Sequence, residues 1–136
     1  MALKYIADKS ALARLKHASV AARLAPVFGD IATCSVIDLE MLYSAKAHAD
    51  IVATLRERRA LPQLAMSQVD FDRAIQVLER LARTGQHRAA GIPDLLIAAV
   101  AERHALTLLH YDKDFDIIAK VTGQRAEWVV PAGSVP

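Results

Sequence analysis

Apolar and polar residues alternate along the chain in blocks that predict strands and helices in turn. The apolar segment LKYIA (residues 3–7) predicts a first strand, which leads into Asp8, Lys9 and Ser10 and then into a helix over SALARL. A further helix, SVAARLAPVFGD, is predicted to break near Pro26, and the small and β-branched residues of IATCS then predict a second buried strand. The chain is therefore expected to open as strand, helix, helix, strand.

The middle of the chain is predicted to be helical. Apolar spacing predicts helices from about residue 36 to 46 and over residues 48–60. Ser67 followed by Asp70 resembles a capping box, with Asp in place of the usual Glu or Gln, and it predicts the start of a long helix that ends at Gly85.

The last third of the chain returns to strand and helix in alternation. GIPDLLIAAVAERHA predicts a helix with Pro93 in its first turn, and its apolar residues nearly encircle it, which is typical of a central helix. LTLLHY predicts a buried strand, KDFDIIAKVTG a closing helix and AEWVV a last strand. The alternation predicts a single α/β domain over residues 1–136, with a mostly parallel sheet flanked by helices on both faces.

Composition narrows the class of protein without naming a function. Apolar residues make up 54% and charged residues 24% of the chain, as expected for a compact fold. The formal net charge of +2 permits nucleic-acid binding but does not argue for it. The lone Cys34 predicts a buried structural thiol, and no apolar run is long enough for a membrane span or a signal peptide. The expected location is the cytoplasm, with no membrane association.

Acidic residues form the candidate chemistry, and they are Asp8, Glu40, Asp94, Asp112 and Asp114. Asp8 and Asp112 each follow a predicted strand, and the carboxyl ends of parallel strands meet at one edge of a sheet. Each of the aspartates also has a local explanation as a helix cap or as a partner of the helix dipole. Glu40 and Asp94, however, lie among apolar neighbours, where an unpaired carboxylate is costly.

Converging carboxylates would repel one another, and a cation would relieve the repulsion. An all-oxygen site favours Mg²⁺ or Mn²⁺, and the five scattered His residues show no zinc spacing. Such a centre suits phosphodiester hydrolysis. His110 is expected to be a strand-end residue, whereas Asp38 and Asp116 are expected to face solvent.

Basic residues give candidate contacts for a polyanionic substrate. Lys9 and Arg14 follow the first acid, and Arg88 precedes Asp94. Each is also compatible with an ordinary surface charge. Arg88 is the preferred phosphate contact because of its proximity to Asp94 in sequence.

Four segments carry a resemblance to a known family. YIADKSALARL, CSVIDLEMLYSA, GIPDLLIAAVAERHA and LTLLHYDKDFDIIAKV, in this order and spacing, resemble the PIN domain and, within it, the VapC ribonuclease toxins of bacterial toxin-antitoxin pairs. The resemblance covers nearly the whole chain. It implies a Mg²⁺-dependent endoribonuclease, with Mn²⁺ as a substitute, that acts on RNA, forms a homodimer and is blocked by a cognate VapB-type antitoxin.

The resemblance also implies roles for individual residues. Asp8 and Asp94 correspond to the principal metal ligands, Glu40 and Asp112 to residues that hold or orient metal-bound water, and Asp114 to a supporting acid. One position departs from the family pattern. Lys9 stands where many PIN domains carry Thr or Ser, and it is expected to pair with a carboxylate or a substrate phosphate.

Two other classes of function compete with a nuclease. A non-catalytic acid-lined domain, either a receiver-like signalling domain or a PIN-like protein without catalysis, would use the same acids for binding. A receiver would need an aspartate after a middle strand and a lysine after a late one, and neither is evident. An aspartyl phosphatase usually has a second acid two positions after its nucleophile, where this chain has Ser10.

Overall fold

A parallel four-stranded sheet forms the centre of the computed structural model, which describes residues 3–136. The strands, in the spatial order β2-β1-β3-β4, are β1 (Tyr5–Ala7), β2 (Ile31–Ala32), β3 (Thr107–His110) and β4 (Ala126–Trp128). Tyr5 pairs with Ile31 on one side and with Thr107 on the other. Because all the pairings are parallel, the strands end at one common edge of the sheet. The predicted α/β class is confirmed.

Helices connect the strands and cover both faces of the sheet. They are α1 (Lys9–Leu12), α2 (Ala18–Leu24), α3 (Ser35–Tyr43), α4 (His48–Arg59), α5 (Gln68–Ala82), α6 (Ile92–Arg103) and α7 (Lys113–Thr122). The predicted helix break near Pro26 is confirmed, because a 3₁₀ helix over Ala25–Asp30 follows α2. Helix α3 ends at Tyr43 and is shorter than the sequence predicted. Within the described part of the chain, no helix is both long and apolar enough to cross a membrane.

Two apolar cores lie on opposite faces of the sheet. Neighbouring residues of β3 divide between them, since Leu108 packs into the core with α5 and α6 and Leu109 into the core with α1 and α2. Successive side chains of a strand point to opposite faces, so a fully buried strand must be apolar on both sides. Helix α6 is buried at every position from Leu95 to Ala101, which confirms its predicted central place. Its rigid packing fixes the position of its first turn at the sheet edge.

Candidate functional site

Acidic side chains line a pocket at the edge where the strands end. The residues that line this acid pocket come from the first strand-to-helix junction, α3, α6 and the end of β3, and they are Asp8, Lys9, Ser10, Ala13, Arg14, Glu40, Asp94 and Asp112. The sequence separates these acids by up to about a hundred positions, and the parallel sheet brings them to one place.

The two carboxylate oxygens of Asp8 have different surroundings. It is the N-cap of α1, and its Oδ2 accepts a hydrogen bond from the main-chain N–H of Ser10 at 3.0 Å. The residue is only 4% exposed. Its Oδ1 is buried and has no hydrogen-bond partner among the described residues. A buried carboxylate oxygen without a donor is costly, so this atom is available to a cation.

Asp112 is held in the same way at the end of β3. It is the N-cap of α7, and its Oδ1 accepts from the main-chain N–H of Asp114 at 3.0 Å. The main-chain N–H of Tyr111 donates to Ser10 Oγ at 2.8 Å, which ties the end of β3 to the beginning of α1. Asp112 can therefore cap α7 and line the acid pocket at the same time.

Asp94 joins two groups of acids. Oxygens of Asp8, Glu40 and Asp94 lie within 4.8 Å of one another, and so do oxygens of Asp94, Asp112 and Asp114. Asp94 is the third residue of α6, where Pro93 favours the first turn and the buried length of the helix prevents movement. All five acids singled out in the sequence thus belong to these two groups.

Burial and repulsion by neighbouring carboxylates raise the pKa values of Asp94, Glu40 and Asp114. Burial first, and then the charges of Asp8, Asp112, Glu40 and Asp114, raise the pKa of Asp94 to about 7. Burial and Asp8 raise the pKa of Glu40, with Lys9 acting in the opposite direction. Burial and Asp112 also raise the pKa of Asp114. The basic residues that line the pocket therefore do not offset the burial of Asp94 and its repulsion by the other acids.

A hard divalent cation fits this site. Every candidate ligand atom in the two groups is a carboxylate oxygen, which Mg²⁺ and Mn²⁺ prefer to nitrogen or sulfur. The unpartnered Oδ1 of Asp8 and the raised pKa of Asp94 both indicate a missing positive charge. The type of ligand atom and the electrostatics of the pocket both favour a divalent cation.

The basic residues predicted to contact a substrate differ in their position relative to the acid pocket. Lys9 lines the acid pocket, close enough to lower the pKa of Glu40. Arg88 is exposed in the segment between α5 and α6, and it is not one of the described residues that line the pocket. Arg14, which sequence proximity did not favour over Arg88, does line it.

A buried histidine, His110, lies 3.7 Å from a half-exposed Asp116, and the sequence did not predict this contact. His110 ends β3, as expected, and is fully buried between the rings of Phe115 and Trp128. Its Nδ1 accepts from the main-chain N–H of Asp112 at 3.2 Å, and burial lowers its pKa against the opposing charge of Asp116. Asp116 accepts from Trp128 Nε1 at 2.8 Å while its side chain remains 44% exposed, so it is a solvated charge with one partner in the fold.

Asp38 also has partners instead of facing solvent. Its Oδ1 accepts from Arg58 Nε and from Thr33 Oγ1, both at 2.9 Å, and its Oδ2 accepts from Gln63 at 2.9 Å. Arg58 is almost completely buried. The expectation for Asp38 was wrong because Arg58 of α4 and Gln63 beyond α4 reach it across 20 and 25 residues, which local patterns do not reveal. Thr33 reaches it from the residues between β2 and α3.

Comparison with known proteins adds information about the family. The sequence profile of the PIN domain matches residues 5–121. Ribonuclease VapC51 of Mycobacterium tuberculosis is 40% identical over 137 residues, covering 99% of each chain. Ribonuclease VapC21 of the same species is 41% identical over 138 residues, covering 98% of this chain and 99% of the relative.

Solved structures with a similar fold come from complexes. A chain in the crystal structure of DNA-bound VapBC from Salmonella typhimurium has a TM-score of 0.75 at 20% identity, covering 94% of this chain and 99% of that chain. A chain of VapBC2 from Rickettsia felis, bound to a promoter DNA fragment, has a TM-score of 0.74 at 18% identity, covering 92% and 98%. At these identities the likeness concerns the fold.

Proposed function

The chain belongs to the PIN-domain family, and from that premise we propose that it is a metal-dependent endoribonuclease, the toxin of a type II toxin-antitoxin pair. The observation that carries the proposal is the acid pocket itself, in which Asp94 joins two groups of carboxylates and has a pKa raised to about 7. Relatives named ribonucleases, about 40% identical over nearly the whole chain, support RNA as the substrate.

Asp8 and Asp94 would be the principal ligands of Mg²⁺, with Mn²⁺ as a substitute. Asp8 offers the oxygen that has no hydrogen-bond partner, and Asp94 is the acid common to both groups. When bound, such a cation activates water and neutralises charge that develops on the phosphate. The raised pKa of Asp94 means that metal binding displaces a proton near neutral pH.

The remaining residues of the pocket would position water and substrate. The raised pKa of Glu40 suits a group that accepts a proton from the attacking water. Asp112, fixed by its capping hydrogen bond, would orient the same water, and Asp114 would complete the acidic wall. Lys9, beside Glu40, would contact a substrate phosphate, and Arg88 would contact the RNA further from the acids. The products would carry a 5′ phosphate and a 3′ hydroxyl.

A VapB-type antitoxin and a second copy of the chain are the proposed protein partners. Large apolar side chains near the pocket support them, since Leu39 is 65%, Tyr43 92% and Ile92 71% exposed. Leu39 and Tyr43 line a shallow apolar groove that shares Lys9 and Glu40 with the acid pocket. A protein bound there would cover the catalytic edge.

RNA cleavage by the purified chain tests the proposal. We expect cleavage of a panel of tRNA, ribosomal RNA and mRNA with Mg²⁺ or Mn²⁺, no cleavage with EDTA, and 5′ phosphates on the fragments. Asp8→Asn should abolish cleavage without unfolding the protein, because an Asn side-chain oxygen can still cap α1. Asp72→Asn, which changes an exposed carboxylate on α5 outside the pocket, is the matched control and should remain active.

Two results would refute the proposed mechanism. Full cleavage activity in EDTA would refute the dependence on a metal ion, and full activity of Asp8→Asn would refute the acid pocket as the site of cleavage. Metal binding without cleavage of any RNA would instead favour the alternative, a non-catalytic acid-lined binding or signalling domain.

A further inference from the structure

Arg14 has a side chain that the fold fixes beside the acid pocket. Its Nη1 donates to the main-chain oxygen of Ser10 at 2.6 Å, and its Nε donates to the main-chain oxygen of Pro136 at 3.0 Å. The guanidinium carbon lies 4.4 Å from the centre of the Tyr111 ring, in a cation–π contact. Three contacts on different segments therefore hold one cationic group in place.

Tyr111 connects this arrangement to the end of β3. Its hydroxyl donates to the main-chain oxygen of Val135 at 2.7 Å and accepts from the main-chain N–H of the same residue at 3.1 Å. Residues 135 and 136 are thereby held against α1, where Pro136 can accept from Arg14. We call these residues, Ser10, Arg14, Tyr111, Val135 and Pro136, the arginine clasp.

Arg14 forms no ion pair with a described Asp or Glu side chain. Its partners in the clasp are the main-chain oxygens of Ser10 and Pro136 and the ring of Tyr111. Other arginines of the described chain do form ion pairs with acids, namely Arg23, Arg58, Arg73, Arg83 and Arg103. Arg14 makes no such pair with the described acids although it lines the acid pocket, because the clasp directs its hydrogen bonds elsewhere.

A guanidinium in this state is suited to a phosphate. Arginine has five N–H donors in a rigid planar fork, and the clasp uses two of them, which leaves three. The fork matches two phosphate oxygens at once, whereas a lysine ammonium acts as a point charge. A strand of RNA that approaches a group of carboxylates is repelled, so a fixed cation at the pocket offsets that repulsion.

We propose that Arg14 is a substrate-binding residue, a guanidinium held by the clasp that binds a phosphate of the RNA strand entering the acid pocket. The inference rests on the proposed nuclease function and adds to it a residue and a mode of recognition. Since the contact is to the backbone of the strand, Arg14 contributes to the affinity for RNA and not to the choice of sequence.

Binding of single-stranded RNA at several salt concentrations tests the role of Arg14. Fluorescence anisotropy would be measured with Mg²⁺ in the Asp8→Asn background, which does not cleave the probe. Adding Arg14→Ala should weaken binding by about 10- to 100-fold, the range for a hydrogen bond to a charged group. The slope of log affinity against log salt should fall by about 0.7, as expected for one lost phosphate contact.

Arg125→Ala is the matched control for charge. Arg125 is exposed just before β4, at the opposite edge of the sheet from the acid pocket, so its removal should leave the affinity and the salt slope unchanged. Arg14→Lys keeps the charge but loses the fork. Arg14→Lys should therefore restore the salt slope but not the affinity. Thermal unfolding of each variant checks that the protein is folded.

The outcomes separate this inference from the proposed function. If the wild-type chain cleaves RNA and Arg14→Ala keeps the parental affinity and salt slope, the inference about Arg14 is wrong and the nuclease assignment stands. If Arg14→Lys restores the full affinity, the planar shape of the guanidinium does not contribute to binding, and that part of the inference is wrong. If the wild-type chain neither cleaves nor binds RNA, both proposals fail.

Discussion

Two sets of buried acids differ in whether the fold supplies a cation. Asp70 is 1% exposed, and its two oxygens accept from Arg103 at 2.7 and 2.9 Å. The hydrogen bonds from Arg103 lower the pKa of Asp70 despite its burial. In the acid pocket, burial and neighbouring carboxylates raise the pKa of Asp94 to about 7. The same residue type is thus stabilised as an anion in one region and destabilised in the other.

The contrast separates acids that have a cationic partner from acids that have none among the described residues. Asp70 and Asp38 each connect a helix to a distant arginine, so their charges contribute to holding the fold together. Asp94 has no such partner among the described residues, and its burial beside other acids lowers the stability of the metal-free protein. An arrangement that costs stability is expected where it serves binding or catalysis.

Neutralising one acid from each set should give the largest difference. Asp94→Asn is expected to reduce RNA cleavage by more than about 100-fold, since even the partners of metal ligands cost 10- to 100-fold when they are changed. Asp70→Asn should keep its activity per folded molecule but lose about 1–3 kcal/mol of stability, because Arg103 loses its partner. Initial cleavage rates and urea unfolding of both variants test the comparison. Loss of activity in both variants would show that the two acids do not differ in their contribution to cleavage.

Removing a cation from a structural acid should destabilise the fold strongly. The side chains of Arg58 and Asp38 are only 6% and 16% exposed, so Arg58→Met leaves a buried carboxylate without its cation. We expect a loss of about 3–5 kcal/mol in the free energy of unfolding. The double variant Arg58→Met, Asp38→Leu should lose less than the sum of the single changes. Strictly additive losses in urea unfolding would show that the two residues are not coupled.

The pH dependence of stability should have opposite signs in the two regions. In EDTA, the unfolded chain releases the Asp94 proton near the ordinary value of 3.8, whereas the folded chain keeps it up to about 7. Stability is therefore lost as pH rises between these values, by at most about 1.4 kcal/mol per pH unit. Asp70 has a lowered pKa, so its contribution is present above its ordinary value and is lost as pH falls below it.

Urea unfolding between pH 4 and pH 8 measures this effect. Asp94→Asn should flatten the decline and should be more stable than the wild-type chain above neutral pH. Mg²⁺ should stabilise the wild-type chain more than the variant, because it binds the folded state through the same carboxylate. An unchanged slope in Asp94→Asn would show that another group is responsible.

Local sequence patterns were sufficient to predict the class of fold and the acids that line the pocket. Continuous apolar runs predicted parallel strands, the encircled helix predicted the central α6, and strand ends placed Asp8 and Asp112 at one edge. These features follow from local periodicity and from the geometry of parallel sheets, which depend little on distant partners.

The partners of the polar side chains could be identified only from the packed fold. Asp38 and Asp116 were expected in solvent, but Arg58 and Trp128 reach them from other elements. Sequence proximity favoured Arg88 for phosphate binding, whereas the clasp brings Arg14 to the acid pocket. A side chain's partner depends on contacts across large separations in sequence, and these exist only after the helices have packed on the sheet.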